Sequence, residues 1–112
     1  MKDTLVVINR EGMGSAEPAL QKKLVATYLK LLAGNGDLPG AIALYADGVK
    51  LACEGSEVLP QLADLESRGV HVILCRTCLD HFGLAEDVRV GIVGGMGDIL
   101  AAQASAAKVV TL

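Results

Sequence analysis

Val70-His71-Val72-Ile73-Leu74-Cys75-Arg76-Thr77-Cys78-Leu79-Asp80-His81-Phe82-Gly83 is the stretch that decides how this chain folds. Its first six residues are apolar apart from His71, and they run on without the alternation of a half-exposed strand. Strands read this way when both faces are covered, as in a parallel sheet. Cys75 closes the strand, Thr77 offers a hydroxyl to cap a brief helix, and Gly83 stops it. A strand that turns directly into a helix is the opening of a βαβ unit.

Four further apolar runs flank it, at Thr4–Asn9, Ala41–Ala46, Val88–Val93 and Lys108–Leu112. Helical patterns separate them. Ser15 is placed to cap a helix with Leu20, Leu24, Tyr28, Leu31 and Leu32 on its inner stripe, ended by Gly34-Asn35-Gly36. Asp47 caps a short turn running to Cys53. Ser56 opens a helix with Leu59, Leu62 and Leu65 inward and Pro60 in its first turn, where the missing N–H costs little. An Ala-rich helix spans about Asp98 to Ala107. The order βαβαβαβαβ predicts an α/β protein, a three-layer α/β/α domain with a five-stranded parallel sheet. One domain over residues 1–112 is expected, since this length holds one core and no linker interrupts it.

Composition narrows the function. Hydrophobic residues make up 52% and aromatics 3%, so the core is aliphatic. Net charge is −3 and no Lys/Arg run occurs, which argues against nucleic-acid binding, where basic density must displace counterions. No apolar run approaches the roughly 18–20 residues of a membrane span, and Leu5–Ile8 is too short for a signal-peptide core. A cytoplasmic location is expected. The mean hydropathy of +0.46 is high for a chain with no membrane segment, and points to a homo-oligomer that covers part of the surface. Three cysteines, an odd count in a reducing compartment, read as reactive or buried thiols rather than disulfides.

In open parallel sheets ligands bind beyond the carboxyl ends of the strands. Asn9 to Gly14, Asp47-Gly48, Cys75 to Cys78 and Gly94-Gly95-Met96-Gly97 all fall there. The sharpest of these is Cys75-Arg76-Thr77-Cys78. A thiol in the first turn of a helix feels free N–H groups, Arg76 adds positive charge, and thiolate is the form that attacks sulfur. Cys75 and Cys78 are therefore the candidate reactive residues, with Cys53, Arg76, Thr77, Gly12, Gly14 and Asp47 as candidates to line the site. Cys75, Cys78 and His81 also share a three-residue spacing, with Cys53 as a conceivable fourth metal ligand. His71, about 13 Å from Cys75 along a strand, is out of range. No metal and no cofactor is expected. Gly12-Met13-Gly14 lacks the third glycine of a dinucleotide fingerprint, Glu17 standing in its place, and reads better as a tight turn.

With these residues in view the chain resembles the DsrE/DsrF-like family. The likeness rests on Gly48-Val49-Lys50-Leu51, Cys53-Glu54-Gly55-Ser56 and Cys75-Arg76-Thr77-Cys78-Leu79-Asp80, and runs almost end to end. It implies the same α/β/α fold, trimers or hexamers, and a role in sulfur handling, in a branch linked to selenium metabolism. It also implies a persulfide on a cysteine after the third strand. By position that residue is Cys75, whereas the helix argument favours Cys78; Cys75 is taken as carrier and Cys78 as its partner. A SirA/TusA-like protein or a cysteine desulfurase would supply or accept the sulfur. Arg76 stands where this branch has Gly in Cys-Gly-Thr-Cys, and Gly94-Gly95-Met96-Gly97 replaces an Asn-Met-Tyr type segment. The reading is a sulfur (or selenium) carrier or sulfurtransferase-like protein. The alternatives are a non-catalytic subunit of a sulfur-relay complex and a thiol–disulfide oxidoreductase.

Overall fold

The computed structural model describes all 112 residues. Five strands form one parallel sheet: β1 (Thr4–Ile8), β2 (Ala41–Leu44), β3 (His71–Cys75), β4 (Ile92–Gly94) and β5 (Lys108–Thr111). Their order across the sheet is β4-β3-β2-β1-β5. The helices are α1 (Pro18–Asn35), α2 (Leu59–Ser67), α3 (Arg76–Phe82) and α4 (Met96–Ser105), with a 3₁₀ helix at Ala46–Ala52. Steps from β1 to β4 all go one way. Right-handed crossovers thus put α1, α2 and α3 on one face, and the return to β5 carries α4 to the other. The sheet, its parallel pairing and the helical layers agree with the sequence reading.

β1 and β2 lie in the middle of the sheet, and Leu5, Val6, Val7, Ile8, Ile42, Ala43 and Leu44 are all buried. That explains their unbroken apolar runs: neither face meets water. Register fixes what comes together at the carboxyl edge. Ile8 pairs with Leu44, and Leu44 pairs with Leu74. The segments that follow β1, β2 and β3 therefore start side by side.

Four expectations need correction. In α1 the buried stripe is Val25, Leu29 and Leu32, whereas Leu20, Leu24 and Leu31 are exposed at 43%, 41% and 68%. The helix carries two interleaved apolar stripes of equal spacing, so periodicity alone could not choose between them. It also begins at Pro18 after Glu17, which leaves Ser15 outside. The fourth strand is shorter and later than Val88–Val93 because Val88 bridges antiparallel to Cys53 instead. Glu54 N–H bonds to Asp87 carbonyl at 2.8 Å and Arg89 N–H to Ala52 carbonyl at 2.9 Å, so residues 87–89 are used before the chain reaches the sheet. Finally α4 starts two residues early, with the Asp98 carboxylate accepting the Gly95 N–H at 2.8 Å. An acidic side chain reaching back to the first residue fixes the start.

Candidate functional site

Cys75 is both the last residue of β3 and the N-cap of α3, in extended conformation. Thr77, expected to cap this helix, lies inside it instead, and no side chain caps the helix. The shift has a consequence. Cys75 belongs to the sheet and is wholly buried, while Cys78 sits one turn on and stays partly accessible. The neighbouring Cys75 thiol helps to hold Cys78 protonated.

The second wall comes from the segment after β2. Ala46 N–H donates to Cys78 Sγ at 3.1 Å. Ala46 has φ of 51° and is the only non-glycine residue with positive φ, a left-handed conformation that costs an alanine about 1–2 kcal/mol. The surrounding loop imposes it. Tyr45 N–H bonds to the Ile8 carbonyl at 3.2 Å, and Gly48 N–H to the Tyr45 carbonyl at 2.9 Å. Gly48 is pressed so closely on the end of β1 that a Cβ would collide with the Ile8 carbonyl oxygen. Only glycine permits that approach.

The 3₁₀ helix is also tied to α3. Asp47 pairs with Lys50 at 2.8 Å, and the Lys50 ammonium lies 4.3 Å from the Phe82 ring centroid. Asp47 is therefore next to the thiol pair but occupied by Lys50. That hydrogen bond raises the Lys50 pKa. Arg76 and Thr77 are exposed on the outer side of α3. Burial pushes the Cys78 thiol pKa up; the Ala46 N–H opposes this, while Cys75 and Asp47 add to it. Arg76 is not among the groups that act on it.

Cys53 lies elsewhere. It caps the 3₁₀ helix at its far end, is 2% exposed, and donates its S–H to the Val49 carbonyl at 3.3 Å. Burial raises its pKa too. It borders an open cleft of ≈ 390 Å³ with Glu11, Lys50, Glu54, Phe82 and Leu84. No three His, Cys, Asp or Glu side chains converge as a metal-binding group, so the three cysteines do not form one cluster. Gly12 and Gly14 are committed to their own loop: Met13 N–H bonds to the Gln21 carbonyl, and Arg10 bonds to the Gly14 carbonyl. Glu11, just before Gly12, is the residue of this loop that reaches the cleft.

Sequence reasoning missed Ala46, Lys50 and Phe82. Alanine carries no chemical signal, and its part here belongs to its backbone. Lys50 and Phe82 are joined only by the fold. Asn9, at the end of β1, was included only through its loop. Its amide lies 3.4 Å from the Tyr45 hydroxyl, and its carbonyl oxygen is buried without a protein partner.

Together these features define a parallel α/β domain with a thiol pair at the carboxyl edge of its sheet. A model of the DsrE/DsrF-like family matches residues 5–112. The chain belongs to that family. Its fold is similar to the protein of unknown function MTH1491 from Methanobacterium thermoautotrophicum, with a TM-score of 0.70, 18% identity and 97% of each chain covered. It is equally similar to the ychN protein from E. coli, with a TM-score of 0.70 and 20% identity over 97% of this chain and 98% of that one. A protein from Mycolicibacterium vanbaalenii named peptide chain release factor 1 is 34% identical over 92 residues, which is 73% of this chain and 25% of that protein. The chain thus spans about a quarter of that relative's length. No helix of the chain is long and apolar enough to cross a membrane.

Proposed function

We propose that this protein carries sulfane sulfur, or its selenium equivalent, as a cysteine persulfide on the Cys75–Cys78 pair, in a reducing compartment such as the cytoplasm. The observation that carries this reading is the Ala46 N–H on Cys78 Sγ, in a thiol pair whose outer member is reachable and whose inner member is sealed. Membership in the DsrE/DsrF-like family supports it, because sulfur relay is the role associated with that family. Accessibility supports Cys78 as the receiving thiol with Cys75 as its partner, the reverse of the order that position in the family implies.

The chemistry balances without an oxidant. The Cys78 thiolate attacks the outer sulfur of a donor protein's cysteine persulfide. The donor S–S bond breaks, its electron pair leaves with the donor sulfur as thiolate, and a Cys78 persulfide forms. Unloading is the same exchange with an acceptor thiolate, and it returns Cys78 to thiolate. A cysteine desulfurase or a SirA/TusA-like carrier fits the donor and acceptor roles. The exposed apolar residues Ile92, Met96 and Leu100 beside β4 and α4, with the outer stripe of α1, support assembly with further copies of the chain.

Intact-mass measurement after incubation with a cysteine desulfurase and cysteine tests the reading. The wild-type chain is expected to gain one sulfur atom and the Cys75→Ser/Cys78→Ser variant none. No gain on wild type, or equal gain on both, removes the proposal. A non-catalytic subunit would show no gain but would retain its partner.

A further inference from the structure

We propose that Ala46 is a positioning residue for the thiol pair: its N–H, fixed on Cys78 Sγ by a left-handed turn, selects Cys78 over Cys75 as the sulfur that bears negative charge. Ala46 is the one backbone outlier among non-glycine residues. Strain of this kind persists where the surroundings over-determine it, and it gathers at functional positions. Here the strained residue is also the one whose N–H meets the accessible thiol, at 3.1 Å. A turn that served only to reverse the chain would be better made with glycine or asparagine, which tolerate positive φ.

The donor is preorganised by contacts on both sides. Tyr45 and Gly48 hold the turn against the end of β1, and the Asp47–Lys50 pair with Lys50 over Phe82 holds it against α3. A donor so fixed stabilises charge without reorganising when the charge appears. On the sulfur-carrier reading, which this inference deepens and rests on, Cys78 Sγ is anionic twice: as it attacks the donor persulfide, and as it leaves when the sulfur passes on. The N–H stands at that atom on both occasions. The charged or titratable groups facing Cys78 from neighbouring elements are Cys75 on β3 and Asp47 on the 3₁₀ helix, and both oppose its ionisation. Asp80 and His81, on α3 itself, are exposed. The Ala46 N–H is the group that counters Cys75 and Asp47.

The test follows Cys78 ionisation in the protein alone, by rate of carbamidomethylation against pH with peptide-level mass spectrometry. Ala46→Val should displace the turn, because a β-branched residue rejects positive φ. The Cys78 profile should then move to higher pH by about one unit, slowing modification near neutral pH about tenfold. Ala46→Gly should keep the wild-type profile. An unchanged profile in a folded Ala46→Val protein overturns the proposal. If that variant does not fold, amide NMR on the wild-type chain decides. The Ala46 amide proton should titrate with Cys78 and stop doing so in Cys78→Ser, and a flat Ala46 signal in wild type overturns the proposal. None of these readouts needs a sulfur donor. A shifted profile with no sulfur loading would therefore defeat the carrier reading and leave the positioning role standing, and the opposite pattern would do the reverse.

Discussion

Cys53 and Cys78 sit at comparable places, each in a segment beyond the carboxyl end of a strand, and each thiol is hydrogen-bonded to backbone from the same 3₁₀ region. The polarity of the two bonds is opposite. Cys53 gives its proton to the Val49 carbonyl, a bond that exists only while the sulfur is protonated. Cys78 receives the Ala46 N–H, a bond that strengthens when the sulfur loses its proton. Burial raises the pKa of both, so burial does not separate the two thiols. The direction of the backbone bond does.

The largest test of this contrast is sulfur loading of single variants. Cys78→Ser should lose loading altogether, and Cys53→Ser should load as wild type does, both read by intact mass after incubation with a desulfurase and cysteine. Loading that depended on Cys53 would invert the comparison. Next in size is native alkylation. Cys78 should react at least about a hundredfold faster than Cys53 or Cys75, because a buried thiol reacts only through local opening. Equal rates, resolved by peptide mass spectrometry, would mean that the Cys78 side of the sheet edge is as closed as the Cys53 side.

How much of this was legible beforehand follows the same division. The β3–α3 stretch announced itself, because an uninterrupted apolar run ending in Cys-x-x-Cys can be read from local order alone. The sheet, its parallel sense and the place of the thiol pair came with it. The inner face of α1 was not legible, since Leu24/Tyr28/Leu31 and Val25/Leu29/Leu32 have the same spacing and only the docked sheet separates them. Nor was the polarity of the Cys53 and Cys78 bonds. It depends on Ala46 and Val49, two residues without functional side chains. It also depends on β2 and β3 standing in register, a contact between segments 32 residues apart in sequence. The difference in exposure between Cys75 and Cys78 had the same origin: a cap position shifted by two residues moves one thiol into the core and the other toward solvent.

Stability offers a smaller test of the same contrast. Cys75 and Cys53 pack in the core, so replacing either with Ala should cost about 1–2 kcal/mol through lost burial. Cys78→Ala should stay within about 0.5 kcal/mol, as for other partly exposed sites. Denaturant midpoints at constant m-value measure both. A Cys78→Ala cost as large as that of Cys75→Ala would make the outer thiol a structural residue after all.

The smallest effect lies in the alkaline limb of stability. In the unfolded chain thiols ionise near pH 8.5, whereas in the folded chain burial holds Cys53 and Cys78 protonated to higher pH. Between those two values the native state binds more protons than the unfolded state, so unfolding free energy must fall as pH rises. The contribution is intact below the unfolded value and is lost progressively above it. Cys53→Ala and Cys78→Ala should each flatten part of that fall. Thermal midpoints of the three proteins between about pH 8 and pH 10, bracketing the unfolded thiol value, decide the matter. Parallel slopes would show that neither thiol is held protonated by the fold, and the distinction drawn from bond polarity would then rest on reactivity alone.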